Sequence, residues 1–161
     1  MNRILFDAEE IREDGTVKLS GVRAGHVLKV LHAEVGSKLR TGMVNGLAGT
    51  SLVEAIADGS VTLRPDHQTA APNHWIDLIL AVPRPKTLKR LWPQLAALGV
   101  GRVVLINGGR VEKCYFDSHW LDQLYYRPLL LEGLMQAGLT MMPEVLERRR
   151  FKPFIEDELD A

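Results

Sequence analysis

The feature of this sequence that most constrains its fold is a change of pattern over residues 66–73 (DHQTAAPN). This segment has no hydrophobic periodicity and contains a proline, as expected of a linker between domains. Before it, short segments rich in strand formers are separated by glycine and polar turns, and after it long apolar runs alternate with apolar residues at helical spacing. The sequence therefore predicts two domains, one over residues 1–70 and one over residues 74–161.

The first domain is predicted to be a small β-rich barrel. Asn45-Gly46 and Asp58-Gly59 are dipeptides typical of β-hairpins, and Asp14-Gly15 is a turn signal between two strands that we expect to pair in antiparallel fashion. Ser20 is expected to cap a short helix that is over before Gly36. The strand candidates are residues 2–6, 16–19, 37–44, 49–57 and 60–65.

The second domain is predicted to contain a parallel sheet with helices between its strands. The apolar runs 75–82 (WIDLILAV) and 102–106 (RVVLI) predict strands buried on both faces. The intervening helix is predicted to end at Gly99 and to kink at Pro93, which cannot donate a backbone hydrogen bond. Pro128 is expected to begin a second helix, and the remaining elements are a strand over residues 144–146 and a short helix over residues 151–161.

The amino-acid composition excludes some kinds of site but does not identify a function. Lys plus Arg and Asp plus Glu number 20 each, so attraction to a polyanion must come from local clusters of charge. Cys114 is the single cysteine, which excludes an internal disulfide and suggests a reducing, cytoplasmic location. We expect no metal site and no membrane span, because neither metal-ligand spacing nor a long apolar N-terminal run occurs.

Two groups of basic residues are candidate anion-binding sites. Residues 83–90 (PRPKTLKR) follow a predicted buried strand and enter a helix, where free backbone amides and positive side chains suit phosphate. A solvated helix face is an equal interpretation of this charge run. The basic residues of this group are Arg84, Lys86, Lys89 and Arg90, and those of the first domain are Arg3, Arg23, His26 and Lys29. A lone histidine such as His26 is more often a packed residue than one that contacts an anion.

Several short motifs carry a resemblance along nearly the whole chain. Residues 3–6 (RILF) resemble an opening strand, and residues 26–30 (HVLKV) followed by Gly36 resemble an H-x-x-x-VLR-x-x-x-G pattern, with Lys29 about where an arginine is usual. In the second domain, Pro85-Lys86, Leu98-Gly99-Val100, residues 132–136 (EGLMQ) and Pro143 resemble P-K, ELGV, EAxEQ and a following proline. The family that these motifs resemble is that of 16S ribosomal RNA uracil-N3 methyltransferases, the small-subunit methyltransferase E type within the SPOUT class.

The resemblance implies a fold, an activity and a set of partners. The fold would be a PUA-like RNA-binding barrel followed by a knotted, Rossmann-like α/β SPOUT domain. The activity would be methylation of uracil N3 in 16S ribosomal RNA with S-adenosylmethionine as cofactor, by a homodimer that acts on the RNA or the small subunit and not on DNA. The RNA-binding residues would be Arg3, Arg23, His26, Lys29, Arg40, Arg84, Lys86, Lys89 and Arg90.

The sequence also departs from the family pattern. Gln94 and Ala97 stand where K-x-x-E is usual, and Leu139 stands where an arginine is usual. The GPEGG loop and the LG-x-x-ILR-x-ETA segment, which form the knot around the cofactor, do not occur, so we expect the chain to stop before the knot. No catalytic or cofactor-binding residue is therefore assigned. Two alternatives stay open: an RNA-binding module without catalysis, and an α/β protein that binds an anionic metabolite.

Overall fold

The computed structural model describes residues 3–71 and 76–159. The chain divides into two units, the first comprising Met1–Pro72 with Gly138–Thr140, and the second Asn73–Ala137 with Met141–Ala161. That residues 138–140 group with the first unit is a feature that the sequence did not predict.

The first unit is built on a five-stranded sheet in the order β1-β3-β4-β5-β2. The strands β1 and β3 are parallel, and the other neighbours are antiparallel. The apolar face of the sheet packs with the inner face of one helix, α1, which buries Ala24 and Val27. The strands are β1 (Ile4–Phe6), β2 (Val17–Leu19), β3 (Lys38–Met43), β4 (Ala48–Ala57) and β5 (Ser60–Thr69), and α1 is Gly21–Lys29.

The two hairpins follow from their turn residues. Asp58 and Gly59 both have positive φ, 50° and 69°, which is the requirement of a type I′ turn between β4 and β5. Asn45, with φ 57°, lies in the turn between β3 and β4. Both predicted hairpins are therefore confirmed.

Three details of the first unit differ from prediction. β1 and β2 do not pair with each other, because the turn at Gly15 bridges Ile11 to Val17 and leaves β1 to pair with β3. With β1 and β2 as its edges, the sheet of described strands is not a closed barrel. Residues 66–69, predicted as linker, continue β5, because the ten-residue β4 supplies partners as far as Thr69.

The second unit contains the predicted parallel sheet, and its described strands lie in the order β6-β7-β8. Two helices, α2 and α3, pack against each other so closely that a Cβ on Gly133 would lie 2.0 Å from the carbonyl oxygen of Pro93. Phe154 of the C-terminal helical segment packs on Val104 and Ile106 of β7. The elements are β6 (Asp77–Ala81), α2 (Pro85–Ala97), β7 (Arg102–Ile106), α3 (Gln123–Ala137), β8 (Glu144–Arg148) and α4 (Phe151–Pro153), which continues as a π-helical turn, Phe154–Glu158.

Two predictions for this unit are wrong. β6 is an edge strand among the described strands and not buried on both faces, since Ile79 is 37% exposed. Trp75, also assigned to that strand, lies outside the described residues. Pro128 lies inside α3 instead of opening it, because Asp122 already accepts hydrogen bonds from the amides of Leu124 and Tyr125 and starts the helix earlier.

Candidate functional site

The second unit brings four predicted cations together at the start of α2. Arg84 is the N-cap residue of this helix, Pro85 follows it, and the carbonyl oxygen of Arg84 accepts hydrogen bonds from the amides of Thr87 and Leu88 at 2.8 and 3.0 Å. A three-residue connection from β6 places this end of α2 beside the carboxyl end of the parallel strand, the side of such sheets that ligands favour. The four exposed cations are Arg84, Lys86, Lys89 and Arg90.

Two of the predicted cations in the first unit form hydrogen bonds and an ion pair within the protein. Arg3 donates from Nε to the carbonyl oxygen of Gly138 at 3.0 Å and from Nη1 to that of Thr41 at 2.6 Å. Burial, followed by the nearby charge of Arg40, lowers the pKa of Arg3 below its ordinary value. Arg23 forms an ion pair with Glu10 and donates to the carbonyl oxygen of Leu5 at 3.2 Å. These two guanidinium groups are anchors of the fold.

The other three predicted residues of this unit differ in their exposure. Lys29 lies at the end of α1 and Arg40 on the outer face of β3, and both are exposed. His26 is half-buried, and within the part of the chain that the structure describes its Nε2 atom is buried without a hydrogen-bond partner. Of the five predicted residues of this unit, Lys29 and Arg40 are therefore the best placed to meet an anion.

Sequence reasoning missed a polar cluster on the inner face of the first sheet. The hydroxyl oxygen of Thr41 lies 2.6 Å from Ser51 Oγ and 2.8 Å from His67 Nε2, and the imidazole stacks on Phe6 with ring centroids 5.4 Å apart. Burial, with the charge of Arg3 as the next cause, lowers the pKa of His67, while Asp66 opposes the shift. The sequence does not predict this cluster, because His67 falls in the segment 66–73 that is predicted to be a linker and is therefore assigned to no strand face.

Several aromatic rings lie near Lys89 in the second unit. Adjacent tyrosines such as Tyr125 and Tyr126 are more often packing residues than base-stacking residues, and Tyr126 is one, tilted against the buried Trp92 with ring centroids 5.1 Å apart. Burial, with Glu147 and Asp122 as smaller causes, raises the pKa of Tyr126. Tyr125, one residue earlier, is 44% exposed and belongs to a separate group of surface rings.

The described residues near the start of α3 surround a cavity whose lining can be compared with the needs of a nucleoside cofactor. An open cavity of about 470 Å³ is present there. It contains no aromatic ring or enclosed apolar slot for a purine, so these residues do not by themselves form such a site. The cavity is lined by Asp122, Gln123, Leu124, Arg127 and Pro128.

Neither a metal-binding group nor a membrane-spanning helix is found among the described residues. Within residues 3–71 and 76–159, no group of three His, Cys, Asp or Glu side chains is arranged to hold a metal ion. Over the same residues, none of the helices has both the length and the apolar content needed to cross a bilayer.

Comparisons with known proteins point to one family. A family model described as an RNA methyltransferase domain matches residues 70–161. The ribosomal RNA small subunit methyltransferase E of Treponema pallidum is 26% identical over 96% of this chain, and the methyltransferase E 1 of Borreliella burgdorferi is 24% identical over 90%. The chain spans about three fifths of the length of these relatives, 59% and 60% respectively.

A solved structure shows the same fold. The ribosomal RNA small subunit methyltransferase E of Neisseria gonorrhoeae, bound to S-adenosyl methionine, superposes with a TM-score of 0.70 at 16% identity. The match covers 100% of this chain and 66% of that protein. The fold of this chain thus also occurs within a longer protein.

Proposed function

The chain belongs to the RNA methyltransferase domain family, and from this premise we propose that it binds ribosomal RNA of the small subunit as part of an enzyme that methylates that RNA. The observation that carries the proposal is the match of residues 70–161 to this family. The geometry of the second unit supports it, because four exposed cations stand at the start of α2.

The proposed RNA contacts divide between the two units. In the second unit they are Arg84, Lys86, Lys89 and Arg90, as exposed side chains that neutralise phosphates. In the first unit, which we propose to be a PUA-like RNA-binding domain, Lys29 and Arg40 make direct contacts. Arg3, Arg23 and His26 contribute to the same surface less directly, because Arg3 and Arg23 already bond to the protein and His26 is half-buried.

The proposed reaction of the whole protein is methylation of uracil N3. S-adenosylmethionine, the cofactor bound by the Neisseria relative, would supply an activated methyl group on a sulfonium. Uracil N3 lies on the Watson–Crick edge and carries a proton, so the base must be unpaired and must lose that proton as the methyl arrives. The described residues contribute RNA binding and positioning, and no general base is assigned among them.

The assembly that we propose is a homodimer of the whole enzyme in the cytoplasm. Two copies bound to one ribosomal subunit would double the number of cations near the RNA, which strengthens electrostatic binding. No role in binding DNA or a membrane is proposed.

The first test is binding of the chain to an unmodified 16S ribosomal RNA transcript, followed by fluorescence anisotropy. We expect saturable binding that weakens steeply as salt is raised, because counterions are released from neutralised phosphates. An α/β protein that binds an anionic metabolite predicts the opposite pattern: tight binding of a small phosphate compound and no salt-sensitive affinity for RNA.

A second test separates RNA binding from catalysis. Calorimetry with S-adenosylmethionine is expected to show no binding by the 161-residue chain, since the cavity at the start of α3 offers no aromatic ring or enclosed apolar slot for the purine. RNA binding without cofactor binding would support the interpretation that this chain recognises RNA, and that catalysis needs the additional length that its relatives have. Micromolar cofactor binding, with methyl transfer to the transcript, would instead show that the chain is active by itself.

A further inference from the structure

A group of surface rings lies beside the basic end of α2. The ring centroids of His119 and Trp120 are 4.4 Å apart, those of His119 and Tyr125 are 4.8 Å apart, and those of Trp120 and Tyr125 are 6.1 Å apart. His119 is exposed, Trp120 is partly exposed, and Tyr125 is 44% exposed. We refer to His119, Trp120, Tyr125 and Lys89 as the aromatic patch.

The aromatic patch is held in place from below. Trp92, which is fully buried, donates from Nε1 to the carbonyl oxygen of Trp120 at 2.9 Å. The amide of Trp120 donates to Ser118 Oγ at 3.3 Å, and the cap of α3 at Asp122 fixes the turn that carries Tyr125. Rings on a fixed backbone lose little conformational freedom when a ligand stacks on them, which favours binding.

The patch also carries positive charge. Lys89 Nζ lies 4.6 Å from the centroid of the Trp120 ring, within the range of a cation–π interaction. Lys86 and Arg90 are exposed on the same helix, at its first turns. Asp122 is the acidic neighbour, and its carboxylate accepts a hydrogen bond from the amide of Leu124 at 2.9 Å. Exposed rings beside amines suit a ligand with both a flat π face and a phosphate.

We propose that the aromatic patch stacks an unpaired base of the RNA, with Lys89 beside the adjoining phosphate. The proposal rests on the proposed function, since it specifies single-stranded RNA as the ligand of the second unit. Base stacking on aromatic side chains is how proteins hold single strands, whereas a duplex keeps its base faces covered. A base held there would leave the stack of the RNA, as access to a Watson–Crick edge requires.

The test compares binding of two fluorescent RNAs, an unstructured oligouridine and a hairpin duplex of equal length, to the 161-residue chain. Tyr125→Ala is expected to weaken oligouridine binding about tenfold, the magnitude of one lost stacking contact, and to leave duplex binding nearly unchanged. Tyr125→Phe should retain the affinity, because it keeps the ring. Oligouridine should also quench tryptophan fluorescence in the wild type and quench it less in Trp120→Phe.

Leu124→Ala is the matched control, because Leu124 is the preceding residue of α3 and is 74% exposed but has no ring. This variant should bind both RNAs as the wild type does. Equal affinity of wild type and Tyr125→Ala for oligouridine, with folding intact by circular dichroism, would overturn the stacking proposal and leave the proposed function standing. Absence of all RNA binding by the wild type would overturn both.

Discussion

At the scale of single residues, two arginines and a lysine of similar appearance in the sequence have different roles. Arg23 is held by Glu10 and by the carbonyl oxygen of Leu5, whereas Lys29 is exposed at the end of α1. Arg3 bonds to Thr41 and Gly138. The sequence predicted cations near one another, but it could not show which of them have protein partners, because those partners are distant in the chain.

This difference gives the first prediction. Arg23→Ala is expected to lower the free energy of unfolding by about 1 kcal/mol or less, since its ion pair with Glu10 is partly exposed. Lys29→Ala is expected to leave the free energy of unfolding unchanged and to weaken RNA binding. Urea denaturation and anisotropy on both variants measure the two effects. The reverse pattern, with Lys29→Ala the less stable variant, would contradict these assignments.

His67 gives a prediction about pH. Its pKa in the folded state is lowered from 6.5, mainly by burial and then by Arg3, so the unfolded chain binds the proton more readily. The stability that His67 contributes is therefore complete above about pH 6.5 and is lost as the pH falls through the lowered value. When the pH is lowered from above 6.5 to well below it, the free energy of unfolding should fall less for His67→Gln than for the wild type. Urea denaturation at the two pH values measures this difference.

An exposed histidine of the same unit provides the control for this experiment. His32→Gln should keep the pH dependence of the wild type, because His32 is exposed. A variant at position 67 with the same loss of stability on acidification as the wild type would show that His67 does not titrate differently in the folded state.

At the scale of elements, the contact of α2 with α3 depends on one glycine. Glycine in a helix is ordinarily less stable than alanine by roughly 0.5–1 kcal/mol. At Gly133 we expect alanine to be the less stable of the two, because an added Cβ would lie 2.0 Å from the carbonyl oxygen of Pro93. We expect Gly133→Ala to destabilise the protein by about 1–3 kcal/mol, the usual cost of overpacking.

Gly25 provides the matched control for this substitution, since it lies in α1 and an added Cβ would meet nothing within 4 Å. Gly25→Ala should raise the free energy of unfolding by roughly 0.5–1 kcal/mol. Chemical denaturation of the two variants measures both changes in the free energy of unfolding. Stabilisation by Gly133→Ala would refute the close packing of α2 on α3.

The elements also show how far local pattern predicts the fold. The hairpin dipeptides Asn45-Gly46 and Asp58-Gly59 fix their turns through local backbone conformation, and both predictions are confirmed. The pairing of β1 with β3 and the position of Pro128 inside α3 depend on distant partners and on a competing cap, which periodicity does not reveal. The aromatic patch escaped prediction for the same reason, because Lys89 and Trp120 meet only after α2 packs near the turn before α3.

At the scale of the whole molecule, the chain presents two units of an architecture shared with longer methyltransferases. The family resemblance and the proposed assembly lead us to expect two copies per particle. Light scattering coupled to gel filtration of the whole enzyme should then give twice the mass of one of its chains. The mass of a single chain across the accessible concentration range would contradict the dimer without affecting the proposed binding of RNA.

The measurement that tests the central claim most directly is the salt dependence of affinity for the 16S ribosomal RNA transcript. Replacing Arg84, Lys86 and Arg90 together with alanine should weaken binding and reduce the slope of log K against log salt by about 2–3, roughly one unit for each lost phosphate contact. The matched triple variant, in which the exposed residues Arg12, Lys18 and Lys113 become alanine, removes equal charge elsewhere and should change the slope little. Equal slopes for the two triple variants, or RNA affinity insensitive to salt, would contradict the account.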